Sequence, residues 1–195
     1  MARRRSTETF AEGRERRAAV DDPATVLEAA ARFLEARSRS TAEVRRRLGG
    51  AGYRPDLVEG AIARMTELGL LDDEVFGRAW VESRDRARPR GEIALRRELA
   101  LKGVDRAVVD ELLDERRSPG GVAPEGDGVD LEVARRLLVR HERALARVAD
   151  PRQRRQRAYA LLARNGFDPE TCRDAAAEVF AAANDDNAAA DDDQG

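Results

Sequence analysis

The sequence predicts an all-α protein: an elongated, curved array of three tandem three-helix repeats, with disordered N- and C-terminal segments. Three observations carry that expectation. Hydrophobic residues make up 42% of the 195 residues but aromatics only 4%, so the core must be built from Ala, Leu and Val, which suits helices rather than strands. Apolar residues recur at spacings of three and four through most of the chain. A glycine followed by an apolar residue also recurs, at Gly52-Tyr53, Gly103-Val104 and Gly166-Phe167. Leu48, Leu99 and Leu162 stand four residues before these glycines, and Val58, Val109 and Cys172 six residues after them. Each such unit is too small to bury its own faces, so neighbours must stack.

The elements follow in order. Residues 1–21 are polar and rich in Arg and Glu, and are read as a disordered basic segment. Asp22-Pro23 places a cap before a Pro at the first helical position, and Val26, Leu27, Ala30, Phe33 and Leu34 fall on one face of the helix that follows. Ser40-Thr41-Ala42-Glu43 is a capping box for a short helix with Val44, Leu48 and Ala51 on one side. Gly49-Gly50-Ala51-Gly52 follows that helix rather than a strand, so it reads as a helix end and not as a phosphate cradle. Pro55 opens a third helix, with Leu57, Val58, Ala61, Ile62, Met65 and Leu68 inward, and Gly69 ends it.

The second unit begins at Asp72-Asp73, with Val75, Phe76, Ala79 and Trp80 as its apolar side. After Pro89 comes a helix whose Ile93, Leu95, Leu99 and Leu101 lie on more than one side, as a helix sandwiched between neighbours requires. Gly103 ends it, and Asp105 caps a helix bearing Val108, Val109, Leu112 and Leu113. Residues 118–128, SPGGVAPEGDG, read as a flexible linker. In the third unit Ala134, Leu138, His141, Leu145 and Val148 make one stripe. Asp150-Pro151 opens a helix with Ala158, Leu161 and Leu162. Asp168-Pro169 opens the last, with Cys172, Ala175, Ala176 and Val179 inward. The expected repeats are 22–71, 72–117 and 129–183, and 184–195 is expected to be a disordered acidic tail.

Chemistry is sparse. No nucleophile elbow or paired metal-ligand motif is present, and one Cys and one His give neither a disulfide framework nor a Cys/His metal cluster. His141 reads as a part-buried core histidine and Cys172 as a small core residue. Catalytic, cofactor and metal residues are therefore expected to be none. No apolar run approaches the ~20 residues that cross a bilayer, and the arginines near the N-terminus precede no apolar stretch, so a cytoplasmic setting without membrane contact is expected.

Charge says more. Of 36 basic residues only Lys102 is a lysine, and the net charge of −2 would be +3 without the five Asp of the tail. From Leu131 to Arg164 ten Arg face three acids, whereas Arg54 to Ala79 holds six acids and three Arg. Arg136, Arg140, Arg143 and Arg147 form a helical stripe opposite the Ala134–Val148 face. Further clusters are Arg45 to Arg47 and Arg84, Arg86, Arg88 and Arg90. Such clusters fit an anionic partner, either phosphate backbone or an acidic protein groove. Aromatics do not interleave them, so nucleic-acid binding would run through the backbone and respond to salt.

From Asp73 the chain resembles the RecX family. Asp73-Glu74-Val75-Phe76-Gly77-Arg78-Ala79-Trp80-Val81-Glu82-Ser83-Arg84 looks like its signature of an acidic start, two aromatics and an arginine. Pro89 to Val104, and Ser40-Thr41-Ala42-Glu43-Val44 with Gly69-Leu70-Leu71-Asp72-Asp73, are similar to its following and preceding segments. The resemblance covers roughly residues 24–180 and is weakest in the third unit. It implies three helix-turn-helix-like repeats in a non-enzymatic regulator that binds the RecA recombinase and its DNA filament. Such a regulator limits filament extension and inhibits ATPase, strand exchange and co-protease activity. The implied setting is DNA repair, recombination and the SOS response. The alternative is a sequence-nonspecific DNA-binding protein that competes with RecA for single- or double-stranded DNA. On this resemblance Arg84, Arg90 and Lys102 are expected to face the partner, while Phe76, Trp80, Ile93, Leu99 and Gly103 hold the repeat core. The Arg136, Arg140, Arg143 and Arg147 stripe is added from charge alone, and a monomer is expected.

Overall fold

The computed structural model describes residues 9–118 and 128–178. Among these residues there are ten helices and no strand: α1 Phe10–Ala18, α2 Pro23–Glu35, α3 Thr41–Ala51, α4 Pro55–Glu67, α5 Asp73–Ala87, α6 Glu92–Lys102, α7 Arg106–Arg117, α8 Val129–Ala146, α9 Pro151–Arg164 and α10 over 169–178. The all-helical expectation holds. The chain divides into two compact units, one of residues 9–76 with 101–105 and one of 77–100 with 106–178.

The first unit is built on α2, α3 and α4. Val26, Ala30, Val44, Leu48, Val58, Ala61, Ile62, Met65 and Leu71 form one buried cluster. Full burial of such a side chain contributes roughly 1.5–3 kcal/mol. Ser40 Oγ accepts from Glu43 N at 3.2 Å and Glu43 Oε2 accepts from Ser40 N at 3.3 Å, so the capping box forms as read. Gly52 closes α3 at φ 104°, with Gly52 N–H donating to Gly49 O and Tyr53 N–H to Leu48 O. This left-handed close is one that only glycine adopts without strain.

Of the segment 1–21, read as disordered, residues 1–8 lie outside the described residues, and the helix over Phe10–Ala18 corrects the reading for the rest. Thr9 and Glu12 form a reciprocal capping box, and α1 runs from Phe10 to Ala18. Its backbone lies over the end of α3: a Cβ on Gly52 would come within 2.9 Å of Arg14 O, and Arg17 Nη1 reaches Ala51 O at 3.4 Å. The helix holds by capping and by docking on backbone, not by an apolar face, which is why periodicity missed it. The linker at 119–127 and the tail at 184–195 lie outside the described residues, as does Val179.

The second unit has a buried cluster from α8, α9 and α10, namely Leu131, Val133, Ala134, Leu137, Leu138, Leu145, Ala158, Leu162, Phe167, Cys172, Ala175 and Ala176. Cys172 is a buried core residue as read, and burial pushes its thiol up to about 11. His141 is exposed, not in the core, and its Nδ1–H donates to Leu137 O of its own helix at 3.0 Å. In α6, Leu95 and Leu99 are buried, but Ile93 and Leu101 are 57% and 67% exposed. Two residues span about 200° of helix, so Ile93 and Leu101 point away from the Leu95–Leu99 face, and Ile93 is no part of the repeat core. In α5 the buried residues are Phe76, Gly77 and Val81, with Trp80 half-buried at the edge, whereas Val75 and Ala79 are exposed. The face is rotated by one or two residues from the reading because Gly77 is the close-approach point: a Cβ there would lie 2.5 Å from Leu112 Cδ1.

Candidate functional site

The residues expected to face a partner fall into three environments. In the first unit Lys102, the last residue of α6, meets the capped start of α3. Its Nζ lies 2.7 Å from Glu43 Oε1, and its carbonyl accepts the Ser40 hydroxyl at 2.6 Å. Ser40 is fully buried. Burial raises the Glu43 carboxyl, but hydrogen bonds from Lys102 and Ser40 N–H and the charges of Lys102 and Arg37 outweigh it and hold the pKa below its ordinary value. The negative end of α6 thus abuts the positive end of α3. Gly103 follows at φ 77°, and a Cβ there would collide with Ala42. Its part is a backbone turn under Ala42, and the residue itself is exposed.

In the second unit Arg84 and Arg90 converge on Glu98 of α6. Arg84 Nε donates to Glu98 Oε2 at 2.6 Å and its guanidinium lies 4.3 Å over the Trp80 ring. Trp80 Nε1–H donates to the same oxygen at 2.8 Å, and Arg90 Nε is 3.3 Å from Oε1. Arg90 also donates to the side-chain carbonyl of Asn165. Trp80 and Arg84, one helical turn apart, therefore build a stacked, hydrogen-bonded brace within the fold. Expected as outward-facing cations, Arg84, Arg90 and Lys102 are drawn inward because Glu98 and Glu43 stand within reach and are themselves largely covered.

The junction seen at α3 recurs at α6. Gly91 N–H donates to Asn165 O and Ile93 N–H to Gly166 O, both at 3.1 Å, so the start of α6 caps the carbonyls that end α9. Gly166 sits at φ 80° directly beneath Ala94, with no room for a Cβ. Beside it Arg116, with only 6% of its side chain exposed, bridges Asp85 at 2.9 Å and Asp130 at 2.5 Å. This triad ties α5, α7 and the start of α8 together. Spacing alone gave no sign of it, because its members are 31 and 14 residues apart.

The α8 stripe splits. Arg140 donates to the carbonyls of Ala87 and Arg86 at 2.9 and 3.0 Å and so caps the end of α5. Arg136 lies 4.0 Å from Glu132 and remains nearly half exposed. Arg143 and Arg147 are exposed and make no ion pair among the described residues. The other clusters are mostly engaged: Arg45 forms a two-pronged pair with Glu59, Arg46 reaches Leu101 O, and Arg47 lies over Phe33. The charge that the sequence reading did not single out is on α9, which carries Arg152, Arg154, Arg155, Arg157 and Arg164 and no acid.

Two absences hold among the described residues. No group of three or more His, Cys, Asp or Glu is placed to hold a metal ion, and no helix is long and apolar enough to cross a membrane.

Relatives place this architecture. Over 143 residues the chain is 34% identical to the regulatory protein RecX of Mycolicibacterium vanbaalenii, an alignment covering 70% of this chain and 72% of that protein. The chain belongs to the RecX family. The RecX first three-helix domain matches residues 27–65 and the second three-helix domain residues 72–113, which are the α2–α4 and α5–α7 regions. The regulatory protein RecX of Chlorobium phaeobacteroides is 27% identical over 159 residues, covering 82% of this chain and 96% of that one. Among solved structures, RecX from Lactobacillus salivarius superposes with a TM-score of 0.68 at 18% identity, over 82% of this chain and 97% of that chain. The RecX fold is therefore shared well beyond the sequence likeness, and a regulatory role comes with the family.

Proposed function

We propose that this chain binds the RecA recombinase and its nucleoprotein filament, limits filament extension, and thereby inhibits RecA ATPase, strand exchange and co-protease activity. It does so without catalysing a reaction, in the cytoplasm, as part of DNA repair, recombination and SOS control. In this reading residues 22–71, 72–117 and 129–183 are three modules of one monomeric binding protein, and the exposed cations Arg136, Arg143 and Arg147 are contact residues. The observation that carries it is the alignment with RecX regulatory proteins over 70% of the chain. The test is ATP hydrolysis by the cognate RecA on preformed single-stranded DNA filaments, titrated with this protein. A fall at ratios well below one per RecA is the expected outcome. No fall at equimolar protein sinks the reading.

The acid-free α9 favours a second reading, in which the protein binds DNA without sequence preference and inhibits RecA only by competition. That reading predicts inhibition relieved by excess DNA and an affinity falling steeply with salt, with a log–log slope of roughly −0.7 per neutralised phosphate on single strands.

A further inference from the structure

A groove of about 500 Å³ runs between α9 and α10 in the second unit, lined by Arg152, Arg155, Gln156, Tyr159, Arg173, Ala176 and Ala177. The α9 residues stand at i, i+3, i+4 and i+7 and the α10 residues at i, i+3 and i+4, so each helix contributes one face. Three guanidiniums stand around a floor of Ala and Tyr, with no carboxylate in the lining. Several arginines elsewhere in this protein are paired with acids: Arg45 with Glu59, Arg54 with Asp56, Arg96 with Asp110 and Glu92, Arg116 with Asp85 and Asp130. Arg152, Arg155 and Arg173 make no side-chain ion pair among the described residues and are exposed. A groove between two helices that gathers three arginines and no carboxylate is a site shaped for an anion.

We propose that this groove is the docking site of the chain's own acidic tail, residues 184–195. The tail supplies what the groove lacks: Asp185, Asp186, Asp191, Asp192 and Asp193, with no basic residue, around a run of three alanines small enough for the Ala176–Ala177 floor. Chain length lets it reach. Ala177 lines the groove and Asp185 is only eight residues further on, a span of at most ~29 Å when extended. A tether that short holds the tail at an effective concentration on the order of millimolar. Weak charge-assisted hydrogen bonds between Asp and the Arg forks then suffice for substantial occupancy. The contact shields the most basic of the described helices and is independent of the RecA reading.

The test is modification of arginines by phenylglyoxal in the full chain, read residue by residue by mass spectrometry. The comparison is a variant with all five tail Asp changed to Asn, which alters nothing in the described fold. At low ionic strength Arg152, Arg155 and Arg173 are expected to react roughly two- to threefold faster in the variant. Arg97 and Arg143, exposed and outside the groove, should keep their rates. The difference should close as salt screens the pairs at a Debye length of about 3 Å near 1 M. Equal rates in the two proteins overturn the proposal. So does a uniform rise at every exposed arginine, which would report net charge alone. A short oligonucleotide that protects the three arginines equally well in both proteins also overturns it, because the groove would then be a nucleic-acid site that the tail leaves open.

Discussion

Gly166 and Gly69 have the same backbone hand, at φ 80° and 68°, but different surroundings. Gly69 has nothing within 4 Å of where a Cβ would sit, whereas Gly166 lies against the backbone and side chain of Ala94. Gly69→Ala therefore carries only the left-handed strain, about 1–2 kcal/mol. Gly166→Ala adds a collision that pushes α6 off the Asn165 and Gly166 carbonyls, leaving those acceptors unpaired at about 1–3 kcal/mol. Urea unfolding should show Gly166→Ala losing at least about twice the stability of Gly69→Ala; equal losses would mean that Ala94 yields freely. Arg116 is a second residue on which much rests. Arg116→Ala strands Asp85 and Asp130 and, because both carboxylates keep some contact with water, should cost about 2–4 kcal/mol, near the lower end for a broken buried pair. The same unfolding measurement checks it. The glycines and their left-handed turns were legible in the sequence because a turn leaves a local signature. Arg116 was not, because its partners come from other helices, and nothing in the sequence around an arginine records that it will be buried.

At the scale of elements, helix ends meet helix ends. Ser40 and Glu43 cap α3 and hold the last residue of α6, while Gly91 and Ile93 at the start of α6 hold the end of α9. Glu43 gives this device a pH dependence. Its pKa is held below its ordinary 4.5 in the folded protein, so its stabilising contribution is fully present above that value and is lost as pH falls through the folded pKa. Glu43→Gln should lower stability at pH 7 by about 1 kcal/mol, the net worth of a typical hydrogen-bonded pair. It should converge on the wild type as pH falls through the folded pKa of Glu43, which lies below 4.5. Denaturation midpoints across pH 3–7 test this, and parallel curves would refute the role of Glu43. The capping box was readable from Ser40-x-x-Glu43, and the same pattern at Thr9-x-x-Glu12 could have revealed α1. Composition argued against structure there, and a helix with so little apolar surface defeats any reading that starts from a hydrophobic stripe. Faces were read less well than elements: α5 and α6 each turn Leu, Val or Ile outward, because a sandwiched helix and a one-sided helix share the same residues and only neighbours decide between them.

For the whole molecule the useful contrast is between cations that hold the fold and cations left over. Arg84, Arg90, Lys102 and Arg140 are engaged by the chain itself, while Arg143 and Arg147 on α8 are exposed without ion pairs among the described residues. On the proposed RecA-binding reading, mutating either group would weaken inhibition, but for different reasons, and the two can be separated. Arg84→Ala removes the stack on Trp80 and a hydrogen bond to Glu98, so thermal stability should fall, and potency only in proportion to the unfolded fraction. The double change Arg143→Glu and Arg147→Glu disturbs no ion pair among the described residues. Its melting temperature should stay within a degree or two, as expected of surface substitutions within about 0.5 kcal/mol. Its potency against RecA ATPase should nevertheless fall several-fold at low salt, and the deficit should shrink as salt rises, because charges exposed to water act over a screened range. Melting curves beside inhibition curves at two salt concentrations decide it. A double variant with unchanged potency would take α8 out of the partner interface, and one that loses both stability and potency would show that these two arginines belong with the structural set.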